Sequence, residues 1–133
     1  SKSTEGDPHV RAQRRSRAIQ ISRNRMMAAI AGADVVMLNP THVAVALKYE
    51  PGRSAPRVVA KGAGEVAARI RERAADNRVP MVQDVPLARA LYKACEIGQE
   101  IPEDLYQAVA RVLAFVMALK RRGAALGVHR LAS

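Results

Sequence analysis

Apolar and polar residues fall into short blocks along this chain, and the spacing of the apolar positions changes from block to block. Continuous or alternating apolar runs are typical of strands, whereas apolar residues recurring every three to four positions are typical of helices. Strand patterns occupy four segments, at residues 33–39, 42–49, 57–61 and 79–85. Helical patterns follow Gly62-Ala63-Gly64, Pro86 and Ile101-Pro102. The sequence therefore predicts an α/β domain in which helices surround a sheet of about four strands.

A long helix is expected ahead of this domain. Asp7 can accept a hydrogen bond from the free N–H groups of a first turn, and Pro8 suits the first helical position. No helix breaker follows until Gly32, and the first half of the segment lacks a clear apolar stripe. We therefore expect three parts, which are a basic linker helix over residues 1–33, a globular domain over 34–123 and a flexible tail over 124–133.

Composition sets the size and the charge of the domain. The chain has 133 residues, of which 49% are hydrophobic and only 3% aromatic, so we expect one domain with an aliphatic core. The net charge is +10, and residues 1–33 hold half of it, with seven Lys and Arg against two acidic residues. Such a segment suits nucleic acid, an anionic membrane surface or an acidic protein, and it equally suits a solvated helix face.

Several kinds of site are not expected from the residues. Cys95 is the single cysteine, so no internal disulfide can form, and we interpret it as a buried structural thiol. His9, His42 and His129 have no metal-ligand spacing, so neither a metal nor a cofactor is expected. The longest apolar run is far shorter than the ~20 residues of a membrane span. Because the chain starts with Ser rather than Met, we expect a piece of a longer protein.

The reactive candidate is Asn39-Pro40, between the first two predicted strands. Asn-Pro is typical of a turn, and that structural role is the alternative to a chemical one. The usual attack of the next backbone nitrogen on an asparagine side chain is closed here, because Pro40 has no N–H. The Asn39 side-chain nitrogen can instead attack its own main-chain carbonyl, which forms a succinimide and expels the Pro40 nitrogen. The pair therefore suits self-cleavage of the backbone.

Two further residues complete the candidate site. Histidine titrates near neutral pH, so His42 suits either proton transfer to the leaving Pro40 nitrogen or a purely structural role at the start of the second strand. Thr41 is expected to orient the turn through its hydroxyl group. A tight turn that holds the amide at attacking distance can contribute about 7–11 kcal/mol to such an intramolecular reaction.

The segment LNPTHVAVALKY resembles the autocleavage region of the FlhB/YscU family of flagellar and type III secretion proteins. The similarity extends, in order, through VVAKGAGEVAARIRE, VPMVQDVPLARALYKACEIGQEIP and LYQAVARVLAFV, and it includes GDPHVRAQRR near the start. It covers nearly the whole chain up to about Arg122. The Lys61-Gly62-Ala63-Gly64 form is more similar to flagellar members than to injectisome members.

The resemblance implies a cytoplasmic domain at the inner membrane, with a membrane domain ahead of it in the parent protein. It implies a gate of the export apparatus that switches from rod and hook (or needle) components to later filament (or translocator) components. Export components and export substrates would then be the protein partners, Asn39 the cyclising residue and Pro40 the new N-terminus, in a single-turnover reaction rather than an enzyme cycle. The alternative is a basic module that binds nucleic acid or a membrane surface. Nucleic acid is not expected, because few aromatic residues and no reader motif are present.

Overall fold

The computed structural model describes residues 6–40 and 42–131. In that part of the chain the helices are α1 (Pro8–Ala29), α2 (Gly64–Asp76), α3 (Val85–Ala94) and α4 (Tyr106–Arg121). The strands are β1 (Val35–Asn39), β2 (Val43–Lys48), β3 (Arg57–Ala63), β4 (Met81–Gln83) and β5 (Val128–His129). Single turns of 3-10 helix lie at Ile30–Gly32 and Glu103–Leu105.

The strands form one mixed sheet with the order β3-β2-β1-β4-β5. The β1–β2 and β2–β3 pairs are antiparallel, whereas β1–β4 and β4–β5 are parallel. The predicted α/β architecture with its long N-terminal helix is confirmed, and the sheet has one strand more than the sequence indicated. This extra strand lies within residues 124–133, which we expected to be a flexible tail. Val82 pairs with His129 there, and the imidazole Nε2 of His129 lies 3.0 Å from the Ala125 carbonyl oxygen.

The central strand β1 is buried on both faces, as its continuous apolar run predicts. Val35 and Met37 point to the face that α3 and α4 cover, and Val36 and Leu38 point to the other face. Both helices on the first face contribute an apolar stripe at helical spacing: Leu87, Ala88, Leu91, Val109, Val112 and Val116. On the second face, α2 contributes Ala67, Ile70 and Ala74. The sheet is therefore enclosed between two helical layers.

Helix α1 joins the domain only through its C-terminal end. Asp7 caps its start by accepting a hydrogen bond from the His9 N–H at 2.9 Å, as the sequence predicts. Met26 is the buried residue of the helix, and Ile30 in the following turn is fully buried in the second layer. Most of the helix upstream of Met26 is exposed, because its residues offer no apolar stripe to a partner.

Gly62 lies where β3 meets α2, and the structure explains this residue by close packing. A Cβ atom at Gly62 would lie 2.8 Å from Cβ of Val66, closer than real Cβ atoms approach one another. Gly64 has a positive φ of 57°, a conformation that glycine adopts without strain. Gly62 is therefore required by close packing against Val66, and Gly64 by its backbone conformation.

Lys61 and Cys95 are neighbours of the last turn of α3. The Lys61 ammonium donates a hydrogen bond to the Tyr92 carbonyl oxygen at 3.0 Å and lies 4.9 Å from the centre of the Tyr92 ring. A cation at a helix C-terminus interacts favourably with the helix dipole. Cys95 is 1% exposed, and burial raises the pKa of its thiol. Cys95 is thus a buried structural thiol, as expected.

Glu50 supports the β2–β3 hairpin through an ion pair with Arg57, whose Nη2 lies 2.9 Å from Glu50 Oε1. The hydrogen bond and the charge of Arg57 hold the Glu50 pKa below its ordinary value of 4.5. Because the folded pKa is the lower one, the pair stabilises the fold above pH 4.5 and the contribution disappears as the pH falls through the folded pKa.

We therefore expect Glu50→Gln to lower the melting temperature at neutral pH and to match the wild type in acid. Thermal melts over a pH series measure this difference. Glu72→Gln is the matched control, because Glu72 is an exposed carboxylate that forms no salt bridge with any described residue. A difference between wild type and Glu50→Gln that is independent of pH would contradict the ion-pair explanation.

Candidate active site at the β1–β2 turn

The candidate residues form the turn that joins β1 to β2. Asn39 is the last residue of β1 and pairs with Val43, the first residue of β2. The His42 N–H donates a hydrogen bond to the Asn39 carbonyl oxygen at 3.0 Å, which closes a β-turn with Pro40 at its second position. Proline is favoured there because its ring fixes φ near the value that the turn requires. The Asn39–Pro40 peptide bond is trans.

Both sides of the turn are anchored by further backbone hydrogen bonds. On the β1 side, the Leu38 carbonyl accepts from the Asp84 N–H at 3.0 Å, at the start of α3. On the β2 side, the His42 carbonyl accepts from the Gly64 N–H at 3.1 Å, at the start of α2. The turn is therefore held between the N-termini of two helices, and each end of it is fixed independently of the other.

The side chains of the site differ in exposure. Asn39 and Pro40 are half-buried, and His42 is exposed. The prediction for the Thr41 hydroxyl cannot be compared, because Thr41 lies outside the described residues. Among the described residues, neither Asn39 nor His42 makes a side-chain hydrogen bond, so nothing there competes for the Asn39 amide. Nor do three or more His, Cys, Asp or Glu side chains converge on a metal position in the part of the chain that is described.

The geometry places a hydrogen-bond donor at the atom where cyclisation would build negative charge. When a side-chain nitrogen attacks the Asn39 carbonyl carbon, the carbonyl oxygen becomes an oxyanion. The His42 N–H already points at that oxygen, and a fixed backbone donor of this kind stabilises a developing oxyanion. An Asn-Pro pair with a purely structural role would form the same turn. The geometry is therefore compatible with self-cleavage and with a structural turn.

A second feature lies at the other end of β2, about 20 Å away along this strand. An apolar groove of about 820 Å³ runs between the β2–β3 loop and α4. Tyr49, Tyr106 and Met117 line it and are exposed, with 57% of Met117 open to solvent. Sequence reasoning missed this groove, because the loop and the helix that form it are distant along the chain. The one signal in the sequence was that two of the few aromatic residues, Tyr49 and Tyr106, lie beside a turn-rich loop and at the start of a helix.

Across residues 6–40 and 42–131, no helix combines the length and the apolar character that crossing a bilayer demands.

Comparison with known proteins places the chain in a family. The model of the FlhB HrpN YscU SpaS family matches residues 1–116, and the chain belongs to this family. Flagellar biosynthetic protein FlhB of Escherichia coli (strain K12) is 57% identical over 121 residues, which are 90% of this chain and 32% of that protein. The chain thus spans about a third of the length of this curated relative.

Solved structures agree with this membership. The crystal structure of the cytoplasmic domain of FlhB from Shewanella putrefaciens has a TM-score of 0.74 and 43% identity, covering 84% of this chain and 93% of that one. The EscU C-terminal domain with an asparagine mutated to alanine has a TM-score of 0.66 and 34% identity, covering 68% of this chain and 91% of that one. EscU has also been solved with the adjacent proline mutated to alanine. The fold described above is therefore similar to that of the FlhB cytoplasmic domain.

Proposed function

We propose that this chain is the cytoplasmic domain of a flagellar type III export gate protein, which cleaves its own backbone between Asn39 and Pro40. The observation that carries the proposal is the His42 N–H at 3.0 Å from the Asn39 carbonyl oxygen, in a turn whose next nitrogen belongs to proline. Asn39-Pro40 is the one Asn-Pro pair in the sequence. Family membership supports the same proposal, as does the mutation of an asparagine and the following proline in solved EscU domains.

The proposed step needs no group from outside the chain. The Asn39 Nδ2 forms a bond to the Asn39 carbonyl carbon, and the bond from that carbon to the Pro40 nitrogen breaks. One proton leaves Nδ2 and one reaches the Pro40 nitrogen, which becomes a secondary amine at a new N-terminus. Asn39 is left as a C-terminal succinimide, which water then opens. The exposed imidazole of His42 is suited to carry the proton to Pro40.

Anchoring of the turn supplies the orientation that a weak amide nucleophile requires. The Leu38 carbonyl is bound by Asp84 at the start of α3 and the His42 carbonyl by Gly64 at the start of α2, so the scissile carbonyl and its donor keep their relative positions. Preorganised donors cost no rearrangement at the moment of reaction, and they are among the larger contributions to catalysis. The flanking sheet therefore acts as the rigid frame of the reaction.

The two fragments are expected to remain associated after cleavage. The cut removes one covalent bond and the His42–Asn39 turn hydrogen bond, whereas β1 keeps its pairing with β2 and β4. Val35, Val36 and Met37 of the N-terminal fragment are fully buried in two core clusters made mostly of residues of the C-terminal fragment, and they contribute several kcal/mol in total at about 1.5–3 kcal/mol each. Cleavage would thus release the two new chain ends at the β1–β2 turn, beside the starts of α2 and α3, without unfolding the domain.

The switch itself is tested in cells that carry the parent gene. The proposal predicts that Asn39→Ala keeps export of rod and hook components and blocks the change to filament components. Asn24→Ala, in the exposed part of α1, is the matched control and should switch normally. If the Asn39→Ala protein stays uncleaved and still switches normally, cleavage is not required for switching, and that part of the proposal is refuted.

Export substrates are the proposed occupants of the apolar groove. Exposed aromatic and methionine side chains around a concave surface are typical of protein-binding sites. The groove lies at the opposite end of β2 from the cleaved turn, so cleavage cannot remodel it by direct contact. The groove and the cleaved turn are therefore two separate sites at opposite ends of β2.

We expect Met117→Asp to weaken the binding of purified export substrates by about tenfold or more, because it places a charge in the apolar groove. Leu126→Asp is the matched control, since Leu126 is equally exposed at 58% and does not line the groove. Titration calorimetry measures both variants. Equal affinities for the two variants would contradict the assignment of the groove.

A membrane-surface role for α1 is compatible with this function and is favoured by the exposed arginines of its first half, such as Arg11, Arg14 and Arg15. We expect the chain to bind vesicles that contain phosphatidylglycerol and not vesicles of phosphatidylcholine alone. Changing these three arginines to glutamine should abolish the preference, and equal binding to both vesicle types would count against this role.

A further inference from the structure

A cleft of about 610 Å³ lies on the opposite side of the β2–β3 hairpin from the apolar groove. It is enclosed by the C-terminal half of α1, the ends of β2 and β3 that lie far from the cleavage turn, and the chain at Ile97-Gly98. Three cationic side chains line it, namely Arg25 from α1, Lys48 from β2 and Arg57 from β3, and no lining residue is acidic. Positive charge from three secondary-structure elements, α1, β2 and β3, is therefore concentrated in this cleft.

Two of these cations oppose each other directly. Lys48 and Arg57 are register partners in the antiparallel β2–β3 pair, and both are half-buried. Like charges at directly opposite positions destabilise a sheet, and partial burial weakens the screening by water. A basic helix face that happens to be solvated explains Arg25, but it does not explain a Lys–Arg pair across two strands.

Carboxylates in the protein compensate for only part of this charge. Glu50 pairs with Arg57 at 2.9 Å, whereas Arg25 and Lys48 form no salt bridge with any described residue. The Lys48 ammonium lies against the Ile30–Gly32 turn, 3.5 Å from the point that a Cβ of Gly32 would occupy. An unpaired ammonium and an unpaired guanidinium thus share the cleft with a third cation.

We propose that this cleft is a binding site for a phosphate group. A compact anion with two or more charges would neutralise the excess of positive charge, and guanidinium and ammonium groups are the side chains that bind phosphate oxygens most strongly. Arg25 and Lys48 supply the main contacts, while Arg57 keeps its bond to Glu50 and adds charge. The site is independent of the cleavage turn and of the apolar groove.

The test is titration of inorganic pyrophosphate into the chain at fixed ionic strength, followed by calorimetry and by the shift in melting temperature. The wild type should bind and melt higher, with chloride at the same ionic strength giving no shift. The double variant Arg25→Gln/Lys48→Gln removes both charges, keeps polar side chains at both positions and should lose affinity by about tenfold or more. The matched control is Arg89→Gln/Arg111→Gln, which removes the same charge from exposed positions on α3 and α4 and should bind as the wild type does.

A second experiment, with lipid vesicles, distinguishes a lipid headgroup from a soluble phosphate compound as the natural ligand. Binding of phosphatidylglycerol vesicles that depends on Arg25 and Lys48, together with weak binding of pyrophosphate, identifies a lipid headgroup. Binding of pyrophosphate without vesicle binding through the same residues identifies a soluble phosphate compound. The proposal is overturned if neither probe is bound through Arg25 and Lys48, and vesicle binding that depends only on Arg11, Arg14 and Arg15 counts as such a result. It is also overturned if the two double variants lose binding equally, since the effect would then follow net charge alone.

Discussion

Replacing Asn39 by alanine is expected to abolish backbone cleavage while the domain stays folded. The substitution removes the nucleophilic nitrogen and keeps the turn, whose closing hydrogen bond joins backbone atoms of Asn39 and His42. Asn39 is only half-buried at the end of β1, so the loss of its side chain should change stability by no more than about 1 kcal/mol. A denaturing gel over several days measures cleavage, and circular dichroism measures the fold.

Two further variants make this prediction more specific. Asn24→Ala, in α1, should cleave as the wild type does, which excludes a general effect of losing an asparagine side chain. Pro40→Ala restores an N–H after Asn39, so deamidation should compete and a larger share of the chain should stay intact. Cleavage of Asn39→Ala at the wild-type rate would show that another group, such as water or a contaminating protease, breaks the bond.

Replacing Gly62 by alanine is expected to cause the largest loss of stability among the Gly→Ala substitutions of this chain, because a Cβ there has the closest contacts. The new Cβ would lie within 3 Å of Cβ of Val66, so β3 and α2 would have to move apart. Overpacking of this kind costs about 1–3 kcal/mol of unfolding free energy. Urea denaturation measures it, and Gly6→Ala is the control, because a Cβ at Gly6 meets no atom within 4 Å.

A double-mutant cycle identifies the cause of that loss. Val66→Ala removes the γ-methyl groups that face Gly62, so part of the destabilisation by Gly62→Ala should disappear in its presence. Additive effects of the two substitutions would contradict the packing explanation. They would indicate instead that the strand conformation at Gly62 decides the loss.

The sequence predicted the elements whose pattern is local. The run from Val35 to Leu38 indicated a strand buried on both faces, and Asp7-Pro8 marked the start of α1, both as observed. The fourth strand is shorter than its apolar pattern, because Asp84 caps α3 through the Leu87 N–H and the helix takes over at Val85. Here a capping signal outweighed an apolar run.

Features that depend on tertiary pairing could not be predicted in this way. Strand β5 has two residues and forms by pairing with β4, which gives no periodic pattern to detect. Asn39-Pro40 and His42 could be named from chemistry, but the hydrogen bond that joins them depends on the β1–β2 register. The anchoring of the turn by Asp84 and Gly64 likewise depends on where two helices begin.

The most direct test of self-cleavage is mass spectrometry of the purified wild-type chain under native and then denaturing conditions. We predict one native mass close to that of the whole chain, and two denatured masses that correspond to residues 1–39 and 40–133. That pair of results would establish both the cut and the association of the fragments. A single denatured mass for the whole chain after prolonged incubation would contradict the proposal, because the turn would then be stable as a structural element.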